Sequence, residues 1–146
     1  MRLNQCHNFH DFRKLAKRRL PSPIFNYIDG GADDESTYHR NSSAFEDCDL
    51  IPRVLTGVEN IDLSVTVMGQ TLDMPVYCSP TALQRLFHHK GERAVAAAAE
   101  KFGTMFGVSS LGTVSLEEIA KQVNTPQVYQ FYFHKDRGLN QASLLD

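Results

Sequence analysis

After residue 73 the chain alternates short apolar runs with amphipathic ones, and this alternation constrains the fold more than any other feature. The segments "MPVYCS" (74–79), "TMFGVSS" (104–110) and "QVYQFYF" (127–133) have strand length and are apolar nearly throughout. A strand with one wet face alternates polar and apolar side chains, whereas one covered on both faces does not. Between them lies "GERAVAAAAEKFG" (91–103), a predicted helix with Val95, Ala98, Ala99 and Phe102 on one face and Gly103 at its end. Next comes "LEEIAKQV" (116–123), striped by Leu116, Ile119, Ala120 and Val123, with Ser115 and Glu118 spaced as a capping box. A last helix is expected in "GLNQASLLD" (138–146). The order β-α-β-α-β argues for an α/β fold with a parallel sheet under helices. Three parallel strands do not finish a doubly wound sheet or a barrel, and a (β/α)8 barrel takes roughly 250 residues. The 146 residues therefore read as the front part of a larger domain, with residues 74–146 supplying about three β/α units.

Residues 1–73 read differently, as helices and a small β unit leading into that domain. Asn8 is a good N-cap for a first helix, with Asp11 in its first turn, a stripe of Phe12, Leu15 and Ala16, and a stop at Pro21. Ser22 is expected to cap a second helix, "IFNYID", with Pro23 first in it and Gly30-Gly31 ending it. A third helix is expected over about 33–45, and an extended, turn-rich stretch over 50–73.

Bulk properties narrow the class. A net charge of −2 gives no electrostatic footprint for nucleic acid. Three scattered cysteines (Cys6, Cys48, Cys78) form neither a disulfide framework nor a zinc pattern and fit a reducing compartment. The longest run of small apolar residues, Ala94–Ala99, is too short to span a bilayer, and "MRLNQCHNFHDF" lacks the apolar run of a secretory leader. A cytoplasmic location is the expectation. The basic run "RKLAKRR" (13–19) admits a peripheral place on anionic lipid at the inner membrane, against the plainer reading of a solvated helix face.

Ligands of parallel α/β folds sit outside the carboxyl ends of the strands. Here those ends read Ser79-Pro80-Thr81-Ala82, then Ser109-Ser110 followed by Leu111-Gly112-Thr113, then Gln130-Phe131-Tyr132. Each offers a hydrogen-bonding group and none offers a carboxylate; His134 comes just past the third. This set suits a neutral, planar ligand better than a metal. The competing reading is ordinary capping Ser and Thr residues with a buried Gln. His7 and His10 have helical ligand spacing but no third partner, and His88-His89-Lys90 reads as a solvated turn that could meet an anion.

Five stretches in order, "FNYIDGGADDESTYHRNSSAFEDCDLIPRVL", "MPVYCSPTAL", "KGERA", "GVSSLGTVSLEEIA" and "YQFYFHKDRG", resemble the FMN-dependent α-hydroxy-acid dehydrogenases and oxidases. These act on lactate, glycolate or mandelate. The resemblance runs from about Phe9 onward and implies a (β/α)8 barrel with FMN at the C-terminal ends of its strands. It implies that Pro80, Thr81 and Ala82 lie against the flavin, with the backbone amide near Ala82 approaching N5. It implies that Ser109 and Gln130 bind the pyrimidine edge, where an amide both donates and accepts. Tyr27, Tyr132 and Leu111 match substrate-side positions, and a Leu at 111 leaves a moderate apolar pocket for a small L-2-hydroxy acid such as lactate. Each has a plainer rival: Tyr27 as a core tyrosine, Tyr132 as packing, Ser109 as a cap.

The same resemblance implies that the proton-accepting histidine, the carboxylate-binding arginine, the lysine near flavin N1–C2 and the phosphate cradle belong to the second half of the barrel. None of those motifs occurs in these residues, and His134 is not that histidine. The leading expectation is the N-terminal part of an FMN-dependent oxidoreductase, homo-oligomeric at full length, its electron acceptor open. The alternative is a non-catalytic fragment. In both, the chain alone is expected to be inactive, to hold FMN weakly or not at all, and to be poorly soluble through its open sheet edge. A nucleotide-binding protein without redox chemistry would want a Gly-rich strand-to-helix turn, where this chain has "SPTALQRLFHHKGE".

Overall fold

The computed structural model describes residues 2–145, in two compact units, Met1–Glu59 and Asn60–Asp146. In the first, a short 3-10 turn precedes α1 (Phe9–Arg19), α2 (Ser22–Asp29) and α3 (Ser36–Ser43). Asn8 caps α1 as the sequence indicates, its Oδ1 accepting the Asp11 amide at 3.0 Å. Of the predicted stripe only Leu15 is fully buried, alongside Phe25 of α2, while Phe12 stays exposed. The two helices are also joined by a fork: Arg13 donates to Asp29 through Nε (2.5 Å) and Nη2 (2.8 Å). That hydrogen bond, ahead of the Coulomb attraction, holds the Asp29 carboxyl below its usual range. Lys17 sits 5.8 Å from the Phe25 ring centroid. Two cations of the 13–19 run, Arg13 and Lys17, thus meet α2, although they are exposed like Lys14, Arg18 and Arg19.

Two boundaries differ from expectation. Ser22 is the first residue of α2 rather than its cap, and Pro21 stands at the cap position without a side-chain bond. Gly30 closes α2 in an extended conformation (φ −86). The left-handed residues come later, at Asp33 (φ 48) and Glu35 (φ 56), so α3 cannot start before Ser36. The Glu35 carboxylate accepts the Gly31 amide at 2.8 Å and closes that loop.

In the second unit, only a hairpin is regular within the extended stretch expected over 50–73. Its strands are β1 (Val65–Val67) and β2 (Gln70–Leu72), turned by Met68-Gly69 with both φ positive (51 and 75). Leu72 is buried, and Asp73 donates its amide to Gly103 O at 2.8 Å, which ties the hairpin to the rest of the unit. After a 3-10 turn (Gln84–Leu86) come α4 (Glu92–Lys101), β3 (Phe106–Ser109), α5 (Leu116–Gln122), β4 (Gln127–Gln130) and α6 (Arg137–Leu145). Asp146, the last residue of the helix expected there, lies outside the described residues. β3 and β4 pair in parallel, Phe106 opposite Gln127 through Ser109 opposite Gln130. The core is Ala96, Ala99, Phe106, Val108, Val114, Ile119 and Val123, with Cys78, Val95 and Leu116 against it. Burying such side chains is the main stabilising term.

Three features depart from the sequence reading. Segment 74–79, expected as a strand buried on both faces, makes one parallel bridge, Cys78 to Phe106, and leaves Val76 64% and Tyr77 43% exposed. It has a neighbour on one side only among the described residues. The buried face of α4 is Glu92, Ala96 and Ala99, with Ala98 and Phe102 outside. The helix is turned from the purely apolar stripe because a carboxylate takes part in the core. Ser115 does cap α5, its Oγ accepting the Glu118 amide at 3.3 Å, but the Glu118 carboxylate is drawn to Arg93 of α4 (Nε, 2.6 Å), so it joins two helices. Gly103 ends α4 as expected, at φ +58, where a Cβ would collide with the Asp73 carboxylate.

Candidate functional site

The strand ends converge on β3. Segment 74–79 runs beside it through Cys78 N to Met105 O (3.0 Å) and Gly107 N to Cys78 O (2.7 Å). The Thr104 hydroxyl donates to Val76 O. Pro80 then lies flat on Gly107: a Cβ there would stand 2.6 Å from Pro80 Cδ and 2.8 Å from Pro80 N, so this close approach requires glycine. Beyond Pro80 the Thr81 hydroxyl folds onto Ser79 O (3.4 Å), and the buried Gln84 donates its amide to Thr81 O (3.3 Å). The chain turns through Leu83 in the left-handed region (φ 53), and the Leu83 amide donates to Leu111 O at 3.1 Å. The ends of the first segment and of β3 are thereby locked together.

Ser109, buried at the end of β3, donates its hydroxyl to Gln130 Oε1 at 3.0 Å, across the parallel register. Ser109 Oγ in turn accepts the Leu111 amide at 3.2 Å. With Oε1 engaged, the Gln130 amide keeps its two N–H donors for a ligand carbonyl. The Ala82 amide also has no partner among the described residues, and a ligand or solvent completes such a donor. Ser110 Oγ is buried without a partner among the described residues, and Ser110 lines a concavity of about 330 Å³ with Val108, Thr113 and Tyr129. The edge from Ala82 past Ser109 to Gln130 therefore presents small side chains, a close backbone approach and unfilled donors. A planar group with alternating carbonyls and N–H groups fits that donor set; a metal ion does not.

The residues expected on the substrate side are less enclosed. Leu111 is 53% and Tyr132 51% exposed, both in the second unit; Tyr27, on α2 of the first, is 59% exposed. His134 is a turn residue: its amide donates to Asn140 Oδ1 (2.7 Å) and its carbonyl accepts Asn140 Nδ2 (2.8 Å). His88 and His89 stack at 4.4 Å in an exposed loop. Among the described residues no three His, Cys, Asp or Glu side chains converge as metal ligands, and no helix is long and apolar enough to cross a membrane. Burial pushes the Cys78 thiol up, away from thiolate reactivity.

Sequence reading missed Glu92. It is the first residue of α4 and fully buried, and its carboxylate accepts the Thr113 amide (2.7 Å) and hydroxyl (2.6 Å). Burial would raise this carboxyl, but the bonds from Thr113 and the backbone amides of Glu92 and Gln84 outweigh it and hold the group low. The signal was the motif "KGERA", which places the acid in a helix's first turn.

Comparison with known proteins identifies the family. The profile of the FMN-dependent dehydrogenase family matches residues 16–145. The L-lactate dehydrogenase of Xanthobacter autotrophicus is 42% identical over 134 residues, covering 92% of this chain and 34% of its own length. The L-lactate oxidase of Nostoc is 42% identical over 139 residues, covering 92% and 38%. A soluble mutant of the membrane-associated (S)-mandelate dehydrogenase from Pseudomonas putida superposes with a TM-score of 0.86 at 34% identity, over 94% of this chain and 39% of its own. The chain thus spans little more than a third of the length of the relatives it matches. A match to this profile over nearly all of its residues means that the chain belongs to the FMN-dependent dehydrogenase family.

Proposed function

We propose that this chain is the N-terminal part of an FMN-dependent (β/α)8 barrel that oxidises a small L-2-hydroxy acid, L-lactate foremost, to the 2-oxo acid. The observation that carries the reading is the Ser109–Gln130 pair at adjacent parallel strand ends, beside the unpaired Ala82 amide. In this reading Pro80, Thr81 and Ala82 form the bed for the ring, and the Ala82 amide reaches toward N5. Ser109 orients the Gln130 amide, whose N–H groups meet a pyrimidine carbonyl. When bound, FMN supplies the acceptor for the hydride equivalent from substrate C2. Leu111 keeps water from the apolar end of the substrate, which suits a methyl group better than a phenyl ring. The hydroxyl of Tyr132 donates to its carboxylate. In this reading the proton acceptor comes from the second half of the barrel, so residues 1–146 by themselves do not oxidise the acid.

The test is a chimera in which residues 1–146 replace the matching portion of an L-lactate dehydrogenase. It should bind FMN and bleach with L-lactate in preference to glycolate and mandelate. A chimera that loads FMN but is reduced by none of the three acids overturns the proposal. So does robust lactate-dependent dye reduction by the 146-residue chain alone, since that would place the chemistry in residues this reading leaves idle.

A further inference from the structure

We infer that Glu92 is the positioning residue of this strand-end site, fixing the loop that carries Thr81 and Ala82 against the loop that carries Ser109 to Leu111. Its functional meaning rests on the proposed flavin site; its geometry does not. Thr113 lies in the second loop and gives Glu92 two donors, the amide to Oε1 at 2.7 Å and the hydroxyl to Oε2 at 2.6 Å, beside the backbone amides of Glu92 and Gln84. Because its proton goes to Glu92, the Thr113 hydroxyl turns a lone pair to the Arg85 amide (3.3 Å), in the first loop. Two residues before Arg85, the Leu83 amide holds Leu111 O at 3.1 Å. The carboxylate thus sets the direction of a relay, Glu92 to Thr113 to Arg85, that runs parallel to the Leu83–Leu111 bond.

Only an anion serves here. A glutamine at 92 would keep the shape but turn one oxygen into an NH2 group. Facing the Thr113 amide, that group sets donor against donor. Facing the hydroxyl, it reverses the Thr113 proton toward the Arg85 amide and opposes donors there instead. Serine at 113 preserves amide and hydroxyl; valine keeps the amide alone.

Hydrogen exchange on the 146-residue chain tests this without cofactor. In Glu92→Gln the amides of Leu83, Leu111 and Thr113 should exchange roughly tenfold to a hundredfold faster, the span for losing a hydrogen bond to a charged group. Phe106 and Gly107, in the core of the same unit, should stay within about twofold of wild type. Thr113→Ser should match wild type, and Thr113→Val should follow Glu92→Gln at Leu83 and Leu111. If Glu92→Gln does not fold, Thr113→Val carries the same comparison. Unchanged loop amides in the variants overturn the inference, as does an equal rise in loop and core amides or a Thr113→Ser that behaves like Thr113→Val. FMN titration of the lactate dehydrogenase chimera separates the two readings. Loss of FMN affinity in the Glu92→Gln chimera, with affinity retained in the Thr113→Ser chimera, supports both. A wild-type chimera with protected loops that takes up no FMN sinks the flavin reading and leaves the assignment of Glu92 standing.

Discussion

Segment 74–79 and β3 are apolar runs of similar length, side by side and parallel, but only β3 is a regular strand. β3 is buried at all four positions, pairs with β4 along one edge and meets Cys78 on the other, under α4 and α5. Among the described residues segment 74–79 has β3 alone beside it, and it shows Val76 and Tyr77 to solvent. Its backbone is held by one bridge and by the Thr104 hydroxyl on Val76 O. The difference teaches that apolar composition permits a buried strand, while pairing on both edges and cover on both faces create it.

That contrast sets the order of expected effects. Phe106→Ala removes a ring with no exposure from the centre of the core and should cost about 3–5 kcal/mol, read by urea unfolding. A cost near that of a surface change would mean that β3 is not the organising strand. Gly107→Ala drives a methyl group into Pro80 and should cost about 1–3 kcal/mol through overpacking, with faster exchange at the Cys78 amide. If stability is lost but Cys78 stays protected, the segment is held by something other than its seat on Gly107. Ser109→Ala breaks the bond to Gln130 and should cost about 1 kcal/mol in unfolding, while loosening FMN in the chimera. Normal flavin affinity in that variant would remove the pair from the site. Val76→Thr should be the mildest, within about 0.5 kcal/mol, because the side chain already faces water. A large loss there would erase the distinction between the two runs.

Legibility followed the same physics. The caps at Asn8 and Ser115, the Gly103 stop, the strands β3 and β4 and the helices between them follow from local spacing, and all of them form. The buried face of α4 did not follow, because hydropathy cannot count Glu92 as a core residue; partners such as Thr113, 21 residues away, make it one. The 74–79 strand was over-read because a sequence names a strand without stating how many neighbours it has. At the site, the strand-end residues Ser109 and Gln130 were legible from position alone, and the structure joins them. The brace behind them was not, since a carboxylate in a helix's first turn looks like a surface cap until its loop partners are known.

Ser109 and Gln130 are only 21 residues apart in the chain. Closing such a crossover carries a small loop-entropy cost, so β3, α5 and β4 should condense early, as soon as Gln130 has left the ribosome. Val76 and Tyr77, already synthesised by then, remain uncovered apolar surface throughout that interval. The 74–79 segment is thus apolar surface that the nascent chain carries bare while the sheet behind it closes.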